Sequence, residues 1–163
     1  MKILLTLALL LSTHFASAHY LNITSPTSFS ESPIIVLQNN TFKFFKNRWK
    51  PNEHIHVEFG KVESGKIEKG WWSAQWVLED AGGGFVRIKN RWKNTYLNNE
   101  SGKLEIGKIE SGWWSAQWVI ENAGSGYVRI KNRWKGTYLH NEHGKLQLGN
   151  IQSGWWSAQW SIE

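Results

Sequence analysis

The sequence contains no cysteine, so no disulfide can staple the chain and no thiolate can hold a metal. It has a single aspartate, Asp80, which leaves only glutamates for any paired-carboxylate hydrolysis. Proline is scarce, and beyond residue 40 only Pro51 occurs. No window carries the 3.6-residue apolar period of an amphipathic helix. After the N-terminal segment no stretch is apolar enough to span a bilayer. A Ser–His–Asp set and a phosphate-cradling glycine loop are both missing. The fold must therefore be held by its core alone. The chain is expected to be a binding protein rather than an enzyme, with no cofactor and no metal site.

The N-terminus reads as an export signal. Lys2 supplies the positive start, Ile3 to Leu11 form an apolar run broken by Thr6, and Ala16-Ser17-Ala18 gives a small-residue cleavage pattern. Residues 1–18 are thus expected to be a signal peptide and the mature protein to be secreted, without a transmembrane segment. The net charge of +6 becomes +5 once Lys2 leaves. That excess suits anionic partners, and it also favours solubility. Residues 19–40 read as a leader followed by a strand over Pro33 to Leu37. Asn22, Asn39 and Asn99 head Asn-x-Ser/Thr sequons.

From residue 41 to residue 163 the chain repeats itself three times, over about 41–84, 85–126 and 127–163. Lys46-Asn47-Arg48-Trp49-Lys50 returns at Lys89 to Lys93 and at Lys131 to Lys135. Gly70-Trp71-Trp72-Ser73-Ala74-Gln75-Trp76 returns at Gly112 to Trp118 and at Gly154 to Trp160. All twelve tryptophans lie in these motifs. The second copy reads as four short strands. Phe85 to Lys89 alternates, Thr95 to Asn98 and Lys103 to Ile106 flank a turn at Asn99 to Gly102, and Gln117 to Glu121 follows. Asn122 to Gly126 is a glycine-rich turn into the next copy.

Repeats of this length with four strands could build propeller blades or trefoil lobes. Propellers typically close with four or more blades, whereas three lobes close a trefoil, and an open stack would leave bare sheet edges. The sequence predicts an all-β chain, a β-trefoil of three repeats of about 42 residues with four short strands each. The repeated Ser-Ala-Gln-Trp ending, at Ser73 to Trp76, Ser115 to Trp118 and Ser157 to Trp160, resembles the Gln-x-Trp signature that ends each lobe of the ricin-type β-trefoil lectin superfamily. The resemblance covers the three repeats and implies a trefoil with a lectin-like role. Here Ala stands where that family has Gln, and the family's sugar-binding aspartate has no counterpart.

Candidate ligand-binding residues follow from the motifs. Adjacent residues in extended chain face opposite ways, so one indole of each pair Trp71-Trp72, Trp113-Trp114 and Trp155-Trp156 is expected in the core and the other on the surface, where it can stack on a sugar ring. Trp76, Trp118 and Trp160 share a face with Leu78, Ile120 and Ile162 and are expected in the core. Trp92 and Trp134, with Arg91 and Arg133 beside them, suit carboxylate or sulfate groups on a glycan. The opposing expectation pairs Arg48, Arg91 and Arg133 with repeated glutamates, either Glu58, Glu100 and Glu142 or Glu79, Glu121 and Glu163. Asn98, Glu100, His140 and Glu142 are polar turn residues that could meet sugar hydroxyls. The first copy carries an extra residue near Pro51 and has His56 and Val57 in the matching turn, so its site is expected to be altered or lost. The expected partners are glycans or glycoconjugates; export argues against nucleic acid. Alternatives are a protein-interaction or inhibitor trefoil, and Trp/Lys contact with membrane surfaces.

Overall fold

The computed structural model describes residues 41–163. The expected signal peptide, the expected leader with its strand over 33–37, and the Asn22 and Asn39 sequons lie outside the described residues.

Among the described residues twelve strands occur, with one single-turn 3-10 helix before the fourth strand of each repeat. In the first repeat they are β1 (Phe45–Asn47), β2 (His54–Glu58), β3 (Lys61–Gly65) and β4 (Trp76–Gly82), and in the second β5 (Phe85–Asn90), β6 (Tyr96–Asn98), β7 (Glu105–Gly107) and β8 (Trp118–Gly124). The third repeat supplies β9 (Tyr127–Asn132), β10 (Tyr138–Glu142), β11 (Lys145–Gly149) and β12 (Trp160–Ile162). Six strands form the barrel, pairing β1 with β12, β12 with β9, β9 with β8, β8 with β5, and β5 with β4. The ring closes where Lys43 bridges Trp76 through reciprocal backbone bonds of 2.7 and 2.9 Å. The other six strands form three hairpins, β2–β3, β6–β7 and β10–β11. Trp76 opposes Lys43, Trp118 opposes Val86, and Trp160 opposes Val128, so the same joint recurs in all three repeats. This is the predicted β-trefoil.

The core is built on the fourth-strand tryptophans. Trp76, Trp118 and Trp160 are fully buried, together with Phe45, Ile88 and Ile130 and with Ile55, Leu97 and Leu139. Each central indole N–H donates to a backbone carbonyl 21 residues earlier, of Ile55, Leu97 and Leu139, at 2.9, 3.1 and 3.0 Å. The polar edge of the ring is thereby satisfied where water cannot reach it. The expected core face is correct.

The expectation for the Trp pairs is not. Trp71, Trp113 and Trp155 are extended, but Trp72–Ala74, Trp114–Ala116 and Trp156–Ala158 are 3-10 turns. The strand rule of alternating faces fails there, because a 3-10 turn advances about 120° per residue. Neither tryptophan of a pair enters the core. Ala74, Ala116 and Ala158, standing where the ricin-type signature has Gln, are fully buried like the tryptophans that end the motif.

The repeats differ at the hairpin tips. The β2–β3 and β10–β11 turns consist of Phe59-Gly60 and His143-Gly144, with φ of 47°, 77°, 50° and 73°. Both central residues are left-handed, as a type I′ turn requires. In the second repeat residues 99–104 make a longer connection between β6 and β7. Asn99 is buried, so the folded domain does not present that sequon.

Candidate functional site

Each site begins with the buried asparagine of the Lys-Asn-Arg-Trp-Lys motif. The Asn90 side-chain oxygen accepts from the amides of Trp92 and Lys93, both at 3.1 Å, and its amide donates to the Ser73 carbonyl at 2.8 Å. Asn132 binds the Lys135 amide and the Ser115 carbonyl, and Asn47 binds the Ser157 carbonyl, in the same way. The asparagine therefore fixes the turn that carries Trp49, Trp92 or Trp134 and ties it to the Trp-Trp segment of another repeat. The joints run from Asn90 to the first repeat, from Asn132 to the second, and from Asn47 back to the third.

The arginines reinforce these joints. The Arg91 guanidinium lies between Trp72 and Phe42, at 3.9 and 4.0 Å from the ring centroids. Arg133 lies between Trp114 and Phe85, both at 4.1 Å, and Arg48 lies between Trp156 and Tyr127, at 4.4 and 4.5 Å. Nη1 of each donates to a glutamine side chain, Gln75, Gln117 or Gln159, at 2.5 Å. The guanidinium stacks on the rings through its faces and gives Nη1 to a glutamine, so Arg91 and Arg133 serve as joints between repeats. The expected Arg–Glu pairing is also absent among the described residues. The motif's first lysine makes the ion pair instead: Lys89 with Glu79 at 3.4 Å, Lys131 with Glu121 at 3.8 Å, and Lys46 with Glu163.

What these joints build is a cleft of about 460 Å³ lined by Glu58, Trp71, Trp72, Ser73 and Trp92. Two repeats contribute, since Trp92 arrives from the second. Trp72 is about half exposed and carries Arg91 on one face, while the Lys93 ammonium sits 3.6 Å from the centre of Trp92. The cleft is a set of indole surfaces with a carboxylate and a hydroxyl among them. By threefold equivalence Glu100, Trp113, Trp114, Ser115 and Trp134 form the second group, and Glu142, Trp155, Trp156, Ser157 and Trp49 the third. In these two, the Ser115 and Ser157 hydroxyls donate to Glu100 and Glu142 at 2.5 Å. No such bond joins Ser73 to Glu58 among the described residues.

Of the candidate residues Trp92 lines this cleft, and Trp113, Trp114, Trp134, Trp155, Trp156, Glu100 and Glu142 hold the equivalent positions in the other repeats. Two other candidates are corrected. Asn98 is buried and spends its side chain on the Tyr96 carbonyl and the Glu100 amide, at 3.2 and 3.3 Å. His140 is buried beneath Trp155, ring centroids 6.2 Å apart and edge to face. His56 holds Trp71 in the same way at 6.3 Å. Burial pushes the His140 imidazole below its usual pKa, and Glu142 pulls it only partly back. With Asn98 in its place in the second repeat, Trp113 meets no histidine ring among the described residues and is 37% exposed.

The first copy keeps a cleft although, among the described residues, it lacks the Ser–Glu bond of the other two. It lines the described cleft and matches the third copy in its His–Trp pair and I′ turn. The extra residue is absorbed in an exposed turn at Pro51-Asn52, and Glu53 binds Lys50, Ser64 and Asn141. Sequence reasoning placed one indole of Trp71-Trp72 on the surface but discounted the first copy, and it missed Glu58, Ser73 and Trp49 as lining residues. The register of the repeats, which aligns Glu58 with Glu100 and Glu142, held the signal.

A glycine makes room for each histidine. A Cβ on Gly149 would stand 2.9 Å from His140 Nε2, and one on Gly65 would stand 2.9 Å from His56 Nε2. At Gly107 the nearest atom is Asn98 Nδ2, at 3.5 Å. Gly149→Ala is expected to displace the imidazole, cost about 1–3 kcal/mol of stability and shift the tryptophan emission. Gly107→Ala should change stability by less than about 0.5 kcal/mol. Paired denaturant titrations check the contrast, and equal losses would show that the histidine does not depend on the glycine.

No family model matches the chain, and neither does any curated protein sequence. Solved structures do match. A GlcNAcα1-4Gal-releasing endo-β-galactosidase from Clostridium perfringens shares 34% identity at a TM-score of 0.68, over 74% of this chain and 32% of that one. The chain thus spans about a third of that enzyme's length. The Polyporus squamosus lectin bound to Neu5Acα2-6Galβ1-4GlcNAc aligns at 16% identity and a TM-score of 0.66, over 77% of this chain and 49% of the lectin. This protein has the fold of the β-trefoil lectins. A designed threefold-symmetric trefoil, ThreeFoil, aligns over 74% of this chain and 96% of its own, at 22% identity and a TM-score of 0.65. Asp80, the single aspartate of the chain, is exposed and accepts from the Gly82 amide at 2.8 Å in the β4–β5 turn.

Proposed function

We propose that this chain is a secreted carbohydrate-binding protein that holds glycans in up to three aromatic clefts, one per repeat, without catalysing their turnover. The observation that carries the reading is the cleft of Trp71, Trp72 and Trp92 with Glu58 and Ser73. A pyranose has apolar C–H faces and a rim of hydroxyls. Indoles match the faces, while a carboxylate and a hydroxyl match the rim. Three like clefts, each weak, gain avidity on a multivalent glycan. The similarity to the endo-β-galactosidase and to the lectin, both concerned with galactose-containing glycans, supports the same class.

The arginines are occupied between rings, so stacking rather than ion pairing is expected to dominate. The test is a glycan array read at about 0.1 M and about 1 M salt, between which the Debye length falls from about 10 Å to about 3 Å. Binding to neutral glycans should persist at high salt, and binding to sulfated glycans should fade. Retention confined to sulfated glycans, lost with salt, would move the reading from stacking to charge. Absence of binding to every glycan at both concentrations would end it.

A further inference from the structure

At the tip of the first hairpin, Phe59 is 95% exposed. Its φ is 47°, in the left-handed region, where a bulky residue is an outlier. A type I′ turn selects Asn, Asp or Gly at this position. The fold does not call for an aromatic ring there, because the equivalent residues are Ser101 and His143. The side chain takes no part in the core. A residue that opposes its own turn and buries nothing is explained by a contact made outside the chain.

The neighbouring residue indicates what that contact is. Phe59 follows Glu58, which lines the cleft with Trp71, Trp72 and Trp92. Consecutive Cα atoms lie about 3.8 Å apart, less than the length of one sugar residue. A glycan seated on the indoles, bound to Glu58 and running toward the hairpin tip would meet Phe59 next. We infer that the first cleft is an extended site, in which Phe59 is a stacking platform for the next sugar of a chain, and that this repeat prefers oligosaccharides over single sugars. The inference rests on the carbohydrate reading. It distinguishes the first cleft from the second and third, whose tips carry Ser101 and His143.

Phe59→Asn is the informative substitution. It installs the residue pair that a I′ turn favours, so stability should hold or rise, and a loss of binding cannot be ascribed to unfolding. The probes are β-linked galacto-, gluco- and N-acetyllactosamine oligosaccharides of graded length, with the monosaccharides as reference, titrated by calorimetry. For the wild type, affinity should climb with chain length. For Phe59→Asn the climb should shrink by roughly tenfold, with monosaccharide binding unchanged, and Phe59→Tyr should restore it. A wild type that binds but gains nothing with length, or a climb that survives Phe59→Asn, overturns the inference and leaves the carbohydrate reading intact. A wild type that binds none of the probes removes both.

Discussion

Trp118→Ala is expected to cost about 3–5 kcal/mol in a denaturant titration, the range for emptying a buried aromatic site. The indole is fully buried and donates to the Leu97 carbonyl at 3.1 Å. Its removal leaves a cavity and an orphaned carbonyl. The cavity cannot collapse readily, because β8 is hydrogen-bonded to β5 on one side and β9 on the other within a closed barrel. With no disulfide to limit the unfolded chain, the loss is large against a typical stability of about 5–15 kcal/mol. Trp114→Ala is the control. That indole is about half exposed and meets Arg133 at 4.1 Å, so its loss should be about 1 kcal/mol. A Trp118→Ala cost below about 1 kcal/mol would contradict the core assignment.

Changing Trp49, Trp92 and Trp134 together to alanine is expected to weaken binding to a dense glycan surface by roughly 100-fold or more while the fold remains. These indoles are 47%, 46% and 45% exposed and stand outside the core cluster. The turns that carry them are fixed by the backbone bonds of Asn47, Asn90 and Asn132, which the substitution leaves in place. Each cleft would lose one stacking wall. Because avidity multiplies the sites, a modest loss at each compounds on a surface. A single Trp92→Ala should therefore cost far less than the triple substitution on that surface. Circular dichroism and thermal melting confirm folding, and surface plasmon resonance on glycans at high and low density reads binding. A folded triple variant that binds like the wild type would show that these indoles do not touch the ligand.

Much of this was legible before any coordinates. The spacing of the repeats, the alternation in Phe85 to Lys89 and the count of three lead to the trefoil, and the partners of Trp118 on its strand place it in the core. The site was legible only in part. Trp92 and Trp134 were readable as candidate ligand contacts and Glu100 and Glu142 as polar turn residues, whereas one indole of each pair Trp113-Trp114 and Trp155-Trp156 was read as core although both lie outside it. Asn98 and His140 looked the same in sequence as those glutamates, because a polar residue beside a turn carries no mark of whether it faces water or a neighbouring ring. The first copy was discounted for its extra residue near Pro51, although an insertion in an exposed turn moves little around it.

The sequence by itself determined the fold class, the threefold repeat and the identity of the core tryptophans. Each of these follows from local periodicity, which a strand imposes on residues close together in the chain. Only the tertiary structure decided that the arginines lie between rings, that the histidines support Trp71 and Trp155, and that Trp92 completes a cleft begun by Glu58. These contacts join residues from different repeats or from opposite ends of one. Arg48 meets Gln159 across 111 positions because barrel closure returns the first strand to the last. Periodicity constrains neighbours along the chain, whereas closure selects partners across it, and the site is made of partners of the second kind.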